Sequence, residues 1–250
     1  MKSIQDKFST QAQTYKKYRP TYPKELYALL LDLVEKKGTC WDCGTGNGQV
    51  AIELAKHFHQ VYATDISQDQ LDQAKQKENI NYQLTRAEQT PFSDQQFDLI
   101  TVAQAMHWFD FQAFYREVRR VGKEGGILSI WGYGLLRIEP KINELIDHFY
   151  HEVIGIYWNE ERKHIDQAYN SIHFDFEQIP MKEDLFINIH WSIEQLEGYF
   201  NSWSSVQNFK KVHPEIDPVA PTIAAIEKYW KVGEEKAVRF PIFMKVGRIG

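Results

Sequence analysis

Three glycines at alternate positions, Gly44, Gly46 and Gly48, lie between a short apolar run and a segment of helical pattern. A second apolar run follows and ends on a carboxylate, Asp65. Glycine lets the backbone approach a ligand closely and tolerates positive φ, and a carboxylate can accept hydrogen bonds from two neighbouring hydroxyls. This order of strand, glycine loop, helix and acid is typical of a nucleoside cofactor site in a doubly wound sheet.

The spacing of the glycines bears on which cofactor binds. The dinucleotide fingerprint is G-x-G-x-x-G, and its third glycine lets the helix pack closely on the strand. Here Gln49 holds that third position, and the third glycine is Gly48. The loop therefore departs from the dinucleotide pattern, although a nicotinamide-dependent dehydrogenase stays an alternative at this point.

The elements that must position this loop can be read from the alternation of apolar and polar residues. Strands and helices alternate at short intervals up to Trp131, which predicts a mostly parallel sheet with helices on both faces. The predicted strands of this part are 39–43, 60–65, 80–84, 97–103 and 127–131. After Trp131 we expect a helical and irregular stretch over 138–178, a strand at 185–191, a helix over 193–212 and a last strand at 239–246.

Composition narrows the class of partner. The 250 residues carry a formal net charge of -5, which disfavours a nucleic-acid surface because phosphate binding needs clustered Lys and Arg. The chain has no apolar run near the roughly 20 residues of a membrane span and begins without the apolar core of a signal peptide. We expect a cytoplasmic protein, monomeric or homodimeric, with a small-molecule partner and neither nucleic acid nor membrane.

The two cysteines, Cys40 and Cys43, have a spacing that could indicate redox chemistry or half of a zinc site. Positions three apart along a strand point to opposite faces, so the two thiols should diverge. We therefore interpret them as buried strand residues and predict no metal.

Several segments between residues 38 and 131 resemble motifs of class I S-adenosylmethionine-dependent methyltransferases. The loop Asp42-x-Gly44-x-Gly46-x-Gly48 resembles their first motif, and Asp65 resembles their ribose-binding acid. The segment Ala87–Phe92 is similar to their A-E-x-x-P-F stretch after the third strand. Phe97–Ile100 followed by Ala105–Phe109 resembles their fourth-strand motif.

Two flanking segments resemble the small-molecule group that is similar to trans-aconitate methyltransferase. The first consists of Phe8, Ala12, Tyr15, Tyr18-Arg19-Pro20 and Tyr22-Pro23. The second is Trp203-Ser204-Ser205-Val206-Gln207, which resembles a T-x-S-x-V-Q stretch with Trp and Ser in variant positions.

The resemblance implies an α/β fold with a doubly wound, mostly parallel, seven-stranded Rossmann-like sheet whose last strand is antiparallel. We expect one methyltransferase domain over residues 1–250, with a helical lid inserted late in the chain. The predicted parts are a cofactor-covering segment 1–37, a cofactor-binding core 38–131, a substrate lid formed by 132–184 and 193–235, and final strands at 185–191 and 239–246.

The resemblance also implies S-adenosyl-L-methionine as cofactor, with S-adenosyl-L-homocysteine as product. Asp65 would hold the ribose hydroxyls, Ile66 would cover one adenine face, and the amide of Ala87 would meet the adenine edge. Arg86 stands where many members carry an acid for the adenine amino group. The predicted cofactor residues are Tyr18, Arg19, Asp42, Gly44, Thr45, Gly46, Asp65, Ile66, Ala87, Glu88 and Gln104.

Three of these predictions concern the methionine end of the cofactor. The two glycines, Gly44 and Gly46, would let the loop backbone lie close to the methionine part of the cofactor. Asp42 would organise the loop amides or hold a water near the cofactor amino group. Gln104 would meet that amino group through its carbonyl.

The implied reaction is an in-line displacement at a sulfonium methyl carbon, which needs two aligned reactants and exclusion of water. Orientation alone can supply roughly 7–11 kcal/mol of such a barrier. His107 follows the end of the fourth strand, so it is the candidate base if one is needed; packing or orientation of the substrate is its alternative role. The predicted substrate-binding residues are His107, Trp108, Trp203 and Gln207.

The sequence thus predicts methyl transfer to an oxygen or nitrogen of a small molecule. Arg137 and Arg162 could pair with a substrate carboxylate, with a surface role as the alternative. The alternative functions are methylation of tRNA or protein, a non-catalytic S-adenosylmethionine-binding regulator, and the nicotinamide-dependent dehydrogenase.

Overall fold

The computed structural model describes residues 18–250. These residues fold around a mixed sheet of eight strands. The strands are β1 (Thr39–Cys43), β2 (Gln60–Asp65), β3 (Ile80–Leu84), β4 (Phe97–Ala103), β5 (Gly122–Tyr133), β6 (Glu177–Ile179), β7 (Phe186–Trp191) and β8 (Lys236–Arg248). Strands β1 to β5 are parallel in the order β3-β2-β1-β4-β5, and β8 runs antiparallel beside β5. The predicted doubly wound, mostly parallel sheet with an antiparallel last strand is confirmed.

The prediction of seven strands was wrong by one. Strand β6 lies at the end of the stretch predicted to be helical and irregular, and its three residues are too few to show the alternation of a strand. The last strand is also longer than predicted. Its second half pairs with β5 and β6, and its first half pairs with β7, so Pro241 lies where β8 changes partners.

Helices cover both faces of the sheet. They are α1 (Lys24–Leu33), α2 (Gln49–Leu54), α3 (Gln68–Asp72), α4 (Phe111–Val121), α5 (Pro140–His148), α6 (Arg162–Asp166), α7 (Ile193–Asn201), α8 (Ser204–Val212) and α9 (Ala220–Ile226). The single helix predicted over 193–212 is two helices, α7 and α8. The Ser202 hydroxyl donates to the carbonyl of Tyr199 at the break, which satisfies a carbonyl at the end of α7.

The helices that follow β5 form a layer of their own, which we call the cap: residues 134–235 without β6 and β7. Its buried core is a mixture of aromatic and aliphatic side chains and joins the end of β5 and the first half of β8. A second set of buried residues packs between α1, α2 and the sheet. None of the helices between residues 18 and 250 is both long and apolar enough to cross a bilayer.

Candidate functional site

The glycine loop joins β1 to α2, and all three of its glycines adopt left-handed backbone, with φ of 67°, 56° and 80°. A Cβ atom added at Gly44 would lie 2.6 Å from Cβ of Ala105, and one added at Gly48 would collide with the Tyr82 hydroxyl. A side chain at either position would therefore be strained and obstructed. The loop keeps a bare backbone, as an adenosyl cofactor lying against it requires.

Asp65 ends β2 and faces the glycine loop. Its Oδ2 accepts a hydrogen bond from the amide of Gly46 at 2.8 Å, and its Oδ1 accepts one from the amide of Ser67 at 3.0 Å. A carboxylate offers about four lone-pair sites, so a side chain of this type can hold a loop amide and also accept from a ribose hydroxyl. The neighbouring Ile66 is 37% exposed, which leaves apolar surface for an adenine ring. Both ligand contacts stay predictions.

Asp42 is a buried carboxylate that forms hydrogen bonds within the protein. It is 1% exposed and accepts hydrogen bonds from the hydroxyls of Thr45 at 2.5 Å and Thr101 at 3.0 Å. Burial raises the pKa of Asp42 to about 6, although both hydroxyls favour the charged form. These contacts tie the first turn of the loop to β4, which supports the predicted role of Asp42 in organising the loop.

Gln70 is a residue of this site that the sequence did not reveal. It lies in α3, is 4% exposed, and its Oε1 has no hydrogen-bond partner. That oxygen lies 3.8 Å from where a Cβ on Gly46 would be. A buried amide oxygen without a partner costs free energy unless a ligand or water completes it. The orphaned acceptor beside the loop therefore fits a cofactor that carries hydroxyl or amino donors.

We expect Gln70→Met to leave the ligand-free protein at least as stable as the parent and to weaken S-adenosylmethionine binding about tenfold. The substitution removes an unsatisfied buried group, yet it also removes an acceptor worth about 1 kcal/mol or more once paired. Thermal unfolding and calorimetric titration would check the two effects. The exposed Gln68, in the same helix, provides the control Gln68→Met. Unchanged cofactor affinity in Gln70→Met would take Gln70 out of the site.

The segment after β3 is held by Glu88. Its Oε1 accepts a hydrogen bond from the amide of Asp110 at 3.1 Å, and its Oε2 lies 3.4 Å from Nε of Arg86. Arg86, which stands in the place of the usual acid, thus pairs with Glu88. Ala87 is buried between them. The predicted adenine contacts of Ala87 and Glu88 stay predictions.

Gln104 follows β4 and forms hydrogen bonds with the end of the neighbouring strand, β5. It has left-handed backbone with a φ of 55°, and its amide donates to the carbonyl of Trp131 at 2.8 Å. Its side-chain Oε1 accepts from the amide of Tyr133 at 2.8 Å. The side chain is therefore used within the sheet, and only the predicted contact through the backbone carbonyl remains as a cofactor role.

His107 lies in a short turn, Met106–Trp108, at the end of β4, and it is almost fully buried. Its Nδ1 is 3.1 Å from the hydroxyl of Tyr169, and the ring of Trp108 packs beside it. Burial, with a smaller contribution from the nearby charges of Arg162 and His164, lowers the pKa of His107 to about 3. An imidazole in this setting is a weak base.

The described part of the N-terminal segment bridges the loop and the cap. Gln49 donates to the carbonyl of Pro20 at 3.4 Å. Arg19 donates to the Tyr133 hydroxyl at 3.1 Å, and its guanidinium lies 5.5 Å from the centre of the Tyr199 ring. Tyr18 packs on α7. Three other residues of the predicted N-terminal motif, Phe8, Ala12 and Tyr15, lie outside the described residues.

Two of the predicted substrate residues lie within the cap. Trp203 is 3% exposed and packs among the rings of Phe149 and Phe200. Gln207 donates to the carbonyl of Asn201 at 2.8 Å, which joins α8 to the end of α7. Both side chains therefore have structural partners, and their contact with a substrate stays a prediction.

A parallel sheet ending in an antiparallel strand, with a bare glycine loop and an acid at the end of β2, is the fold of class I methyltransferases. The sequence profile of the methyltransferase domain family matches residues 41–130. A methyltransferase of Dictyostelium discoideum is 38% identical over 252 residues, covering 96% of this chain and 93% of that protein. The chain belongs to the methyltransferase family.

A solved structure and a further relative also support membership in the methyltransferase family. A chain described as a type II methyltransferase from Anaeromyxobacter dehalogenans superposes with a TM-score of 0.86 at 32% identity, covering 93% of this chain and 98% of that one. An uncharacterized methyltransferase of Schizosaccharomyces pombe is 26% identical over 229 residues, covering 86% and 88% of the two chains. The predicted cofactor, S-adenosylmethionine, is the cofactor of this family. Membership removes the nicotinamide-dependent dehydrogenase from the alternatives.

Proposed function

We propose that this protein transfers a methyl group from S-adenosylmethionine to an oxygen or nitrogen of a small-molecule acceptor, mainly by holding the two reactants in line. The observation that carries the proposal is the pairing of the bare glycine loop with Asp65, whose carboxylate is already fixed by the Gly46 amide. That pairing brings together acceptors for a ribose and a bare backbone against which the methionine part of the cofactor can lie.

When bound, S-adenosylmethionine supplies a methyl group on a positively charged sulfur. The protein's own contribution is to orient and to exclude water. Asp65 and Gln70 are placed to accept from the nucleoside, and Asp42 holds the first turn of the loop through Thr45. Arg19 and the aromatic residues of the cap cover the carboxyl end of β5. A fixed orientation of this kind can lower the barrier by roughly 7–11 kcal/mol.

General-base catalysis by His107 is not part of the proposal. A pKa of about 3 leaves the imidazole neutral at pH 7 but makes its protonated form costly. We propose that His107 instead fixes the turn after β4 through Tyr169, so that the adjoining surface stays in place. The acceptor proton then leaves to solvent or to another group of the acceptor.

A small-molecule acceptor is favoured by the cap. The N-terminal segment and α7 meet over the end of β5 through Tyr18 and Arg19, so side chains cover the sheet at that point. The net charge of -5 also disfavours a polynucleotide. We propose that residues 132–184 and 193–235 serve as the substrate lid.

Ligand-dependent thermal stability tests the cofactor directly. S-adenosylmethionine or S-adenosylhomocysteine at about 100 times its dissociation constant should add about 2.7 kcal/mol of stability, which is about 5–10 °C in Tm for a domain of this size. NAD at the same concentration should add nothing. A protein that responds to NAD and to neither adenosyl ligand would overturn the proposal.

Incubation with S-adenosylmethionine carrying a labelled methyl group identifies the class of acceptor. We expect label in low-molecular-weight products of a metabolite extract. Label in tRNA or protein would instead support a macromolecular methyltransferase. Cofactor binding without transfer to any of these pools would favour the non-catalytic regulator.

A further inference from the structure

One guanidinium of the cap, on the helix that contacts the turn after β4, has an unused outer edge. Arg162 opens α6, and its side chain is 19% exposed. Its Nε donates to the Tyr150 hydroxyl at 2.7 Å and lies 3.4 Å from a carboxylate oxygen of Asp166. Within residues 18–250 its two terminal nitrogens make no hydrogen bond. The face of the fork that normally binds a carboxylate or phosphate is thus available.

Aromatic rings hold that guanidinium in one plane. Its central carbon lies 4.7 Å from the centre of the Trp158 ring and 5.4 Å from that of Tyr150. The indole nitrogen of Trp158 is itself buried and has no hydrogen-bond partner. An unused N–H donor beside an unused guanidinium edge is a pair of donors that lacks its acceptor.

The helix that Arg162 opens, α6, contacts the Met106–Trp108 turn at the end of β4. The positive charge of Arg162 helps to lower the pKa of His107. Burial raises the pKa of Tyr199, and the charges of Arg19 and Arg162 both oppose that rise. The Tyr150 ring beside Arg162 and the Tyr199 ring beside Arg19 both pack edge-on against Trp203, so one indole separates the two guanidinium sites. Arg19 belongs to the predicted cofactor residues, which leaves Arg162 for the other reactant.

We propose that Arg162 and the indole N–H of Trp158 bind an anionic group, a carboxylate or a phosphate, on the methyl acceptor. This inference rests on the proposed function and specifies its substrate class. The guanidinium fork fits two oxygens of either group, and the rings of Tyr150 and Trp158 provide apolar surface for the carbon skeleton next to it.

The test is calorimetric titration of protein saturated with S-adenosylhomocysteine, using benzoate, phenyl phosphate and benzamide at equal ionic strength. We expect at least one of the two anions to bind at least tenfold more tightly than neutral benzamide. The two anionic arms distinguish a carboxylate from a phosphate site. Equal affinity for benzamide, or no anion binding by the parent, would overturn the proposal.

Variants separate the two donors. Arg162→Gln should weaken anion binding at least tenfold, and Arg162→Lys should lose less because it keeps the charge without the fork. Trp158→Phe keeps one aromatic ring and removes the N–H together with the pyrrole part of the indole, so it should weaken binding severalfold. Arg116→Gln, at an exposed position on α4, is the matched control. If Arg162→Gln binds the anions as the parent does, Arg162 is not the site.

The same titration distinguishes failure of this inference from failure of the proposed function. A protein that binds S-adenosylhomocysteine but discriminates no anion from benzamide contradicts only the anionic acceptor. A protein that binds no adenosyl ligand contradicts the methyltransferase proposal itself.

Discussion

Asp65→Ala is expected to weaken S-adenosylmethionine binding at least tenfold and to destabilise the ligand-free protein by about 1–3 kcal/mol. The carboxylate now accepts hydrogen bonds from the amides of Gly46 and Ser67. At this half-buried position each of the two hydrogen bonds contributes about 0.5–1.5 kcal/mol net, so their loss frees the loop as well as removing the acceptor for the ribose. Calorimetric titration and denaturant unfolding would measure the two effects separately.

The matched control is Asp69→Ala, which removes the same charge four residues later from an exposed position on α3. It should leave both cofactor affinity and stability near those of the parent. If Asp65→Ala loses stability but binds the cofactor as before, the carboxylate only anchors the loop. Affinity unchanged in both variants would remove Asp65 from the binding site.

His107→Gln is expected to change the acid stability of the protein. The pKa of His107 is 6.5 in the unfolded chain and about 3 in the folded protein, so between these values the unfolded chain binds more protons. The stability contributed by neutral His107 is present above pH 6.5 and is lost as pH falls toward 3. Between pH 7 and pH 4 the parent should lose about 3 kcal/mol through this group, and the variant should lose none of it.

Asp42 acts in the opposite direction over part of the same range. Its pKa rises from 3.8 to about 6 on folding, so the folded protein binds more protons there and gains stability as pH falls through 6. The two effects partly cancel in the parent. Removing only the histidine should therefore make the loss of stability between pH 7 and pH 4 smaller in the variant than in the parent.

Denaturant unfolding at pH 4 and pH 7 would measure this difference, with His59→Gln, at an exposed position, as the control. A difference between parent and His107→Gln that does not change with pH would show that His107 is not buried in its neutral form. Turnover of His107→Gln at pH 7 is informative as well. Near-parental turnover agrees with orientation alone, and its loss with intact cofactor binding would restore the imidazole as a catalytic group.

The cofactor half of the fold could be predicted because its signals are local. Strands β1 to β4 have the predicted bounds, since each contains apolar residues and ends at a glycine or a polar residue. The loop and Asp65 come together because neighbouring parallel strands end at the same edge of the sheet. These contacts span about 20 residues of sequence.

The contacts of the cap could not be predicted as well, because they join residues that are far apart in the sequence. The partner of His107 is Tyr169, 62 residues away, so no spacing rule could show that the imidazole is buried. Gln70 was missed for a related reason: its polar side chain faces inward in a helix of five residues, too short for a hydrophobic period.

The place of β8 in the sheet has a consequence for synthesis. It is the partner of β5, yet about a hundred residues separate Tyr133 from Lys236. While a ribosome translates the cap, the nascent chain therefore presents the apolar edge of β5 with no strand beside it, a surface prone to pair with other chains. We expect the nascent chain to need protection by chaperones until β8 has been synthesised. Chains that terminate before β8 should aggregate rather than accumulate as folded fragments.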